Sequence, residues 1–171
     1  MKIVLVGYMG SGKSTVGKLL AAKRNLKFID LDAYIEAAEG ENIPHIFKNK
    51  GEIYFRKKEF KYLEEVLSQQ NNLVLSTGGG TPCYGNNMQT MLAATKNVFY
   101  INVGIQQLVD RLSKEKEHRP LIANVSNAEM PEFIGKHLFE RSFFYNKAHH
   151  TILVKEETAT EVLQVIQQKL V

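Results

Sequence analysis

The stretch Gly7-Tyr8-Met9-Gly10-Ser11-Gly12-Lys13-Ser14-Thr15 constrains this chain more than any other. It matches G-x-x-x-x-G-K-[ST], follows the short apolar run Lys2–Val6, and opens a helix-forming segment, Lys13–Arg24. Strand, glycine loop and helix in that order form a phosphate cradle. The glycines let backbone N–H groups turn inward around phosphate oxygens, and the helix adds the positive end of its dipole. Lys13 is placed to reach the β- and γ-phosphates, and the Ser14 hydroxyl suits Mg²⁺. Gly10, Ser11, Gly12, Lys13, Ser14 and Thr15 are therefore the expected nucleotide contacts. The loop alone does not choose between an ATPase, a GTPase and a kinase.

The rest of the pattern alternates strand and helix. Strands are expected at Lys2–Val6, Leu26–Ile29, Leu73–Ser76, Val98–Asn102 and Thr151–Val154. Helices are expected at Lys13–Arg24, Leu31–Glu39, from Asn42 and Pro44 with a restart near Gly51 to about Gln70, and at Met88–Ala94, Ile105–Leu112, Pro131–Lys147 and Ala159–Leu170. The polar stretch Ser113–Asn127 reads as an irregular, mobile loop. Five short strands between helices predict an open parallel sheet covered on both faces, the three-layer α/β/α P-loop kinase architecture. Ligands of such sheets sit beyond the carboxyl ends of the strands, so motifs following the first three strands should converge there.

With 171 residues and no linker-like tract, the chain is expected to be one domain and a monomer. The opening Met1–Val6 reads as a strand rather than a signal peptide, and no apolar run is long enough to cross a bilayer. A single cysteine, Cys83, precludes an internal disulfide and fits a reducing cytoplasm. The net charge of +4 comes from lysines scattered among glutamates, as in Lys57–Glu65. That is the pattern of a solvated helix face, and it suits anionic small ligands better than nucleic acid.

The second strand ends in Asp30-Leu31-Asp32. Alternation puts both carboxylates on one face of an extended segment. One could hold Mg²⁺ while the other accepts a hydrogen bond from an acceptor hydroxyl and assists its deprotonation. Equally, one or both could cap the next helix. At this point the sequence resembles the shikimate kinase family. The resemblance rests on Gly-x-Met-Gly-x-Gly-Lys-Ser-Thr, Asp30-x-Asp32, Gly51-Glu52, Phe55-Arg56-x-x-Glu59, Ser76-Thr77-Gly78-Gly79-Gly80, Arg119-Pro120-Leu121, and Glu140-Arg141 with Tyr145 and Ala148. These blocks span almost the whole chain in the family's order. The resemblance implies transfer of the γ-phosphoryl group of ATP to the 3-hydroxyl of shikimate, with Mg²⁺, on the route to aromatic amino acids.

It also implies roles. Arg56 and Arg141 would grip the acceptor carboxylate, a task for which a planar guanidinium is suited. Gly78, Gly79 and Gly80 would bring backbone N–H groups close to acceptor oxygens. Asp32 becomes the hydroxyl ligand and candidate base, and Asp30 a member of the metal shell with Ser14. The acceptor-binding helical segment spans about 31–70, and the lid about 113–127. Arg119 on the lid would neutralise charge on the transferring phosphoryl group. The bland alternatives are a surface arginine at 56, a helix salt bridge at 141, a sharp turn at 78–80 and an ordinary exposed loop at 113–127. The family pattern has a second arginine near adenine, seven residues before the lid arginine. Leu112 stands at that spacing here and Arg111 one residue earlier, so a one-residue lid insertion would make Arg111 the match. Phe143 and Lys147 replace the Pro and Glu often found after the helix arginine.

Cys83 is expected to be a small packed residue, His149-His150 lacks partners at zinc-ligand spacing, and Phe139, Phe143 and Phe144 are expected in the core. Rival readings are a gluconate or nucleoside monophosphate kinase and a non-catalytic nucleotide-binding switch. The glycine run and the two acceptor arginines weigh against both.

Overall fold

The computed structural model describes residues 1–171. Its strands are β1 (Lys2–Val6), β2 (Lys27–Asp30), β3 (Leu73–Ser76), β4 (Val98–Val103) and β5 (His150–Val154). They form one parallel sheet in the order β2-β3-β1-β4-β5. The central strands are almost continuously apolar and buried, as a sheet covered on both faces requires. Edge strands β2 and β5 bury only alternate or occasional residues. The helices are α1 (Lys13–Arg24), α2 (Leu31–Glu39), α3 (Ile43–Gln69), α4 (Asn87–Ala94), α5 (Ile105–Ser113), α6 (Met130–Tyr145) and α7 (Ala159–Lys169). A single apolar cluster runs from Ile3 to Ile166 and ties all the layers together. No helix is long and apolar enough to cross a membrane.

Register sets the functional edge. Asp30 at the end of β2 pairs with Ser76 at the end of β3, and Ser76 pairs with Leu5 of β1. The three strands therefore stop level with one another, and the loops leaving them open side by side. Gly12, at φ 89°, ends the loop after β1 in a left-handed conformation that starts α1 sharply. Gly51, at φ 86° and ψ 169°, interrupts α3 where the sequence predicts a restart.

One expectation needs correction. Phe139 and Phe143 are 82% and 65% exposed, so they do not pack the core. Helix α6 buries Met130, Ile134 and Tyr145, and residues 139 and 143 fall roughly opposite that stripe. An apolar side chain on a helix says nothing about which face it occupies. Residues 113–127 carry no α-helix or strand beyond Ser113, as expected of an irregular stretch, but they are locally ordered. A short 3₁₀ turn at Lys116–His118 leads into successive tight turns, closed by Ile122 N–H to the Arg119 carbonyl and Val125 N–H to the Ile122 carbonyl. Ile122 is fully buried and anchors the segment.

Candidate active site

The strand ends frame a cavity of about 460 Å³. Its walls combine Gly10, Gly12, Lys13, Ser14 and Thr15 of the glycine loop with Asp30 at the end of β2, Asp32 in the first turn of α2, and Gly78 and Gly79 after β3. Arg111 and Arg119 from the α5 side complete it. Residues scattered over more than a hundred positions thus meet at one edge of the sheet. Ser11 is buried beneath the loop, its hydroxyl 3.4 Å from Lys13 Nζ.

Lys13 is buried and donates to the carbonyls of Gly7 (2.8 Å) and Tyr8 (2.9 Å). Burial pulls its ammonium down to about 8, against the opposing pull of Asp32. Ser14 donates to Asp30 Oδ2 at 2.7 Å and lies 3.2 Å from the Ser76 hydroxyl. The other oxygen of Asp30 accepts from the Ala33 amide and caps α2. Helix cap and cradle-side carboxylate are thus both true of Asp30, one oxygen serving each. Asp32 accepts no hydrogen bond within the chain. Burial, then repulsion from Asp30 and Glu59, pushes its carboxyl up to about 6.

Asp32, Arg56 and Arg141 gather at the glycine run. A methyl group on Gly78 would fall 2.7 Å from Asp32 Oδ1, and one on Gly79 would fall 3.1 Å from an Arg141 nitrogen. One on Gly80 would lie 3.0 Å from Arg56 and 3.5 Å from Arg141. The three glycines are there for close approach, and two guanidinium groups flank the last of them. Arg56 is held from two sides: it pairs with buried Glu59 at 2.8 Å and stacks on Tyr84, 3.6 Å from the ring centre. Thr81 donates to the second Glu59 oxygen at 2.8 Å. A separate cleft of about 690 Å³ is lined by Arg56 with Ile53, Phe60 and Tyr84, and contains no residue of the glycine loop.

In the segment that follows α5, Arg119 pairs with Glu115 at 2.7 Å while lining the cavity. Arg111 donates to the Gly10 carbonyl at 3.1 Å, so its guanidinium lies against the phosphate loop. The sequence names Ser76 in the block that precedes the glycine run but gives it no role, although a hydroxyl at the last position of an apolar strand is a signal. It left Glu59 and Glu115 without roles, although each stands within one helical turn of an arginine. Burial pushes the Cys83 thiol up to about 11, as expected of a packed, unreactive cysteine.

A parallel sheet of this order, with a lysine-bearing glycine loop facing a carboxylate across one cavity that two further arginines border, defines a P-loop kinase acting on a small acidic molecule. The shikimate kinase family model matches residues 9–171. A shikimate kinase of Flavobacterium johnsoniae is 46% identical over 96% of both chains, and one of Flavobacterium psychrophilum is 41% identical over 99% of this chain and 98% of its own. Among solved structures, shikimate kinase from Bacteroides thetaiotaomicron superposes with a TM-score of 0.89 at 37% identity, covering 98% of this chain and 95% of that one. Shikimate kinase from Acinetobacter baumannii in complex with shikimate gives 0.85 at 34% identity, covering 98% and 90%. The chain belongs to the shikimate kinase family.

Proposed function

We propose that this chain transfers the γ-phosphoryl group of ATP to the 3-hydroxyl of shikimate, yielding ADP and shikimate 3-phosphate for aromatic amino acid (chorismate) biosynthesis. One observation carries the reading: Lys13, Asp32, Gly78, Gly79 and Arg119 line a single cavity, and the guanidinium groups of Arg56 and Arg141 border it at Gly80. A phosphate donor and a carboxylate-bearing alcohol can meet only where both kinds of group are present.

The residues divide the work as follows. The amides from Gly10 to Thr15 cradle the nucleotide phosphates. Lys13 exchanges its loop carbonyls for β- and γ-phosphate oxygens, a trade eased by a burial that leaves its charge poorly solvated. Arg111 borders the nucleotide beside Gly10. Arg56 and Arg141 take the shikimate carboxylate, Arg56 being aimed by Glu59 and Tyr84. Gly78, Gly79 and Gly80 admit the ring to within hydrogen-bonding distance of the backbone.

The acceptor oxygen forms its bond to the γ-phosphorus as the bond to the β,γ-bridging oxygen breaks. The hydroxyl proton passes to Asp32, and the electron pair of the broken bond leaves with ADP. Asp32 is suited to this because burial and neighbouring carboxylates raise its basicity. Arg119 leaves Glu115 to meet charge on the moving phosphoryl group when the lid, residues 113–127, closes and excludes water. The oxygens of Ser14 and Asp30, 2.7 Å apart, are hard donors of the kind that would hold Mg²⁺. The ion would supply neutralising charge at the β- and γ-phosphates. Residues 1–171 act as one domain, with 31–70 as the acceptor-binding segment.

A coupled ADP-release assay with shikimate, gluconate and nucleoside monophosphates tests the assignment. Turnover with shikimate is expected; turnover with another acceptor and none with shikimate would overturn it.

A further inference from the structure

The Tyr145 hydroxyl donates to the Gly79 carbonyl at 2.6 Å. Tyr145 is fully buried at the last position of α6, and its ring packs on Tyr100 with centroids 5.1 Å apart. Burial pushes its phenol well above the ordinary range, so it remains a donor at any working pH. The Gly79 carbonyl and the Gly80 N–H belong to one planar trans peptide and point in opposite directions. Fixing the first therefore fixes the second. The Gly80 N–H has no acceptor within the chain, whereas the Gly80 carbonyl accepts from Cys83. The guanidinium groups of Arg56 and Arg141 flank this residue.

We infer that Tyr145 is a positioning residue for the acceptor: it locks the Gly79–Gly80 peptide so that the Gly80 N–H donates to an acceptor oxygen beside the two arginines. The same helix face does more. His137, Arg141 and Tyr145 stand at i, i+4 and i+8, and His137 Nδ1 hydrogen-bonds the Tyr8 hydroxyl of the phosphate loop at 2.9 Å. One rigid element thus holds the donor loop through Tyr8 and the acceptor loop through Gly79, fixing the separation across which phosphoryl transfer occurs.

This inference rests on the proposed acceptor reaction, and its test separates the two. Failure of the wild-type protein to phosphorylate shikimate would sink the reaction itself. Given wild-type turnover, Tyr145→Phe keeps the ring packing and removes only the hydroxyl. Its dissociation constant for shikimate, measured by calorimetry, is expected to rise about tenfold, the usual effect of one buried hydrogen bond lost. Its constant for ADP should stay within about twofold. Tyr100→Phe, which disturbs the same ring pair without touching Gly79, should bind both ligands normally. Unchanged shikimate affinity in Tyr145→Phe, an equal loss for shikimate and ADP, or the same defect in Tyr100→Phe would each overturn the inference. An independent check on wild-type protein holds even if the variant fails to fold. The Gly80 amide proton resonance should move on adding shikimate and not on adding ADP; an unmoved resonance refutes the contact.

Discussion

Replacing Asp32 by Asn should make the protein more stable and less active at once. The Asp32 carboxyl titrates near 6 in the fold rather than at 3.8, chiefly because it is buried and then because Asp30 and Glu59 repel its charge. A raised carboxyl means that the native state holds a proton the unfolded chain has released. Stability is therefore lost as pH climbs from the unfolded value through the folded one, and the full cost is present above about pH 6. A shift of this size corresponds to about 3 kcal/mol. Asn escapes that cost but leaves Lys13 with Asp30 alone as a favourable carboxylate, and Lys13 is itself pulled down to about 8 by burial. The net gain should be about 1–2 kcal/mol at pH 7.5, a rise in Tm of about 2–6 °C for a chain of this size. By pH 4 the gain should have vanished, because the wild-type carboxyl is then protonated in the fold. If Asp32 accepts the hydroxyl proton, kcat should fall at least about 100-fold. The wild-type decline in activity below about pH 6 should also be missing from the residual activity. Calorimetric melts across pH and a coupled ADP-release assay test both halves. A variant less stable than wild type at pH 7.5 would refute the electrostatic argument, and one with near-normal kcat would exclude Asp32 as the base.

Other substitutions should separate the remaining roles. Lys13→Met should reduce kcat by about 100-fold or more through lost phosphate-charge stabilisation, while circular dichroism stays native. Arg56→Ala and Arg141→Ala should each raise the KM for shikimate at least about tenfold and leave that for ATP nearly unchanged. Only Arg56→Ala should also lower Tm appreciably, because it strips buried Glu59 of its cationic partner. Gly78→Ala would set a methyl group 2.7 Å from Asp32 Oδ1, so shikimate turnover should fall while ADP binding measured by calorimetry persists.

Much of this site was legible in local sequence. Lys13 and Ser14 lie inside a contiguous motif whose strand–loop–helix context is itself local. Asp30 was legible as cap or metal-side carboxylate, and the geometry shows one oxygen capping α2 while the other accepts from Ser14. Arg56 and Arg141 were ambiguous from their surroundings, since a helix arginine flanked by charges looks the same whether it faces solvent or a ligand. Only the family resemblance singled them out. Phe139 and Phe143 misled because helix periodicity fixes which residues share a face and not which face turns inward.

The chain's order of strands and helices, its phosphate loop and its breaks at Gly12 and Gly51 follow from backbone preferences acting over a few residues, and the sequence alone determines them. The meeting of Ser14, Asp30 and Ser76, the gathering of Arg56 and Arg141 around Gly80, and the grip of Tyr145 on Gly79 were decided by the folded sheet. Strand register and helix packing bring together groups 85 positions apart, as in Arg56 and Arg141, and farther apart still, as in Tyr8 and His137. No local rule encodes that distance, because contacts of this kind form only when the whole apolar cluster closes.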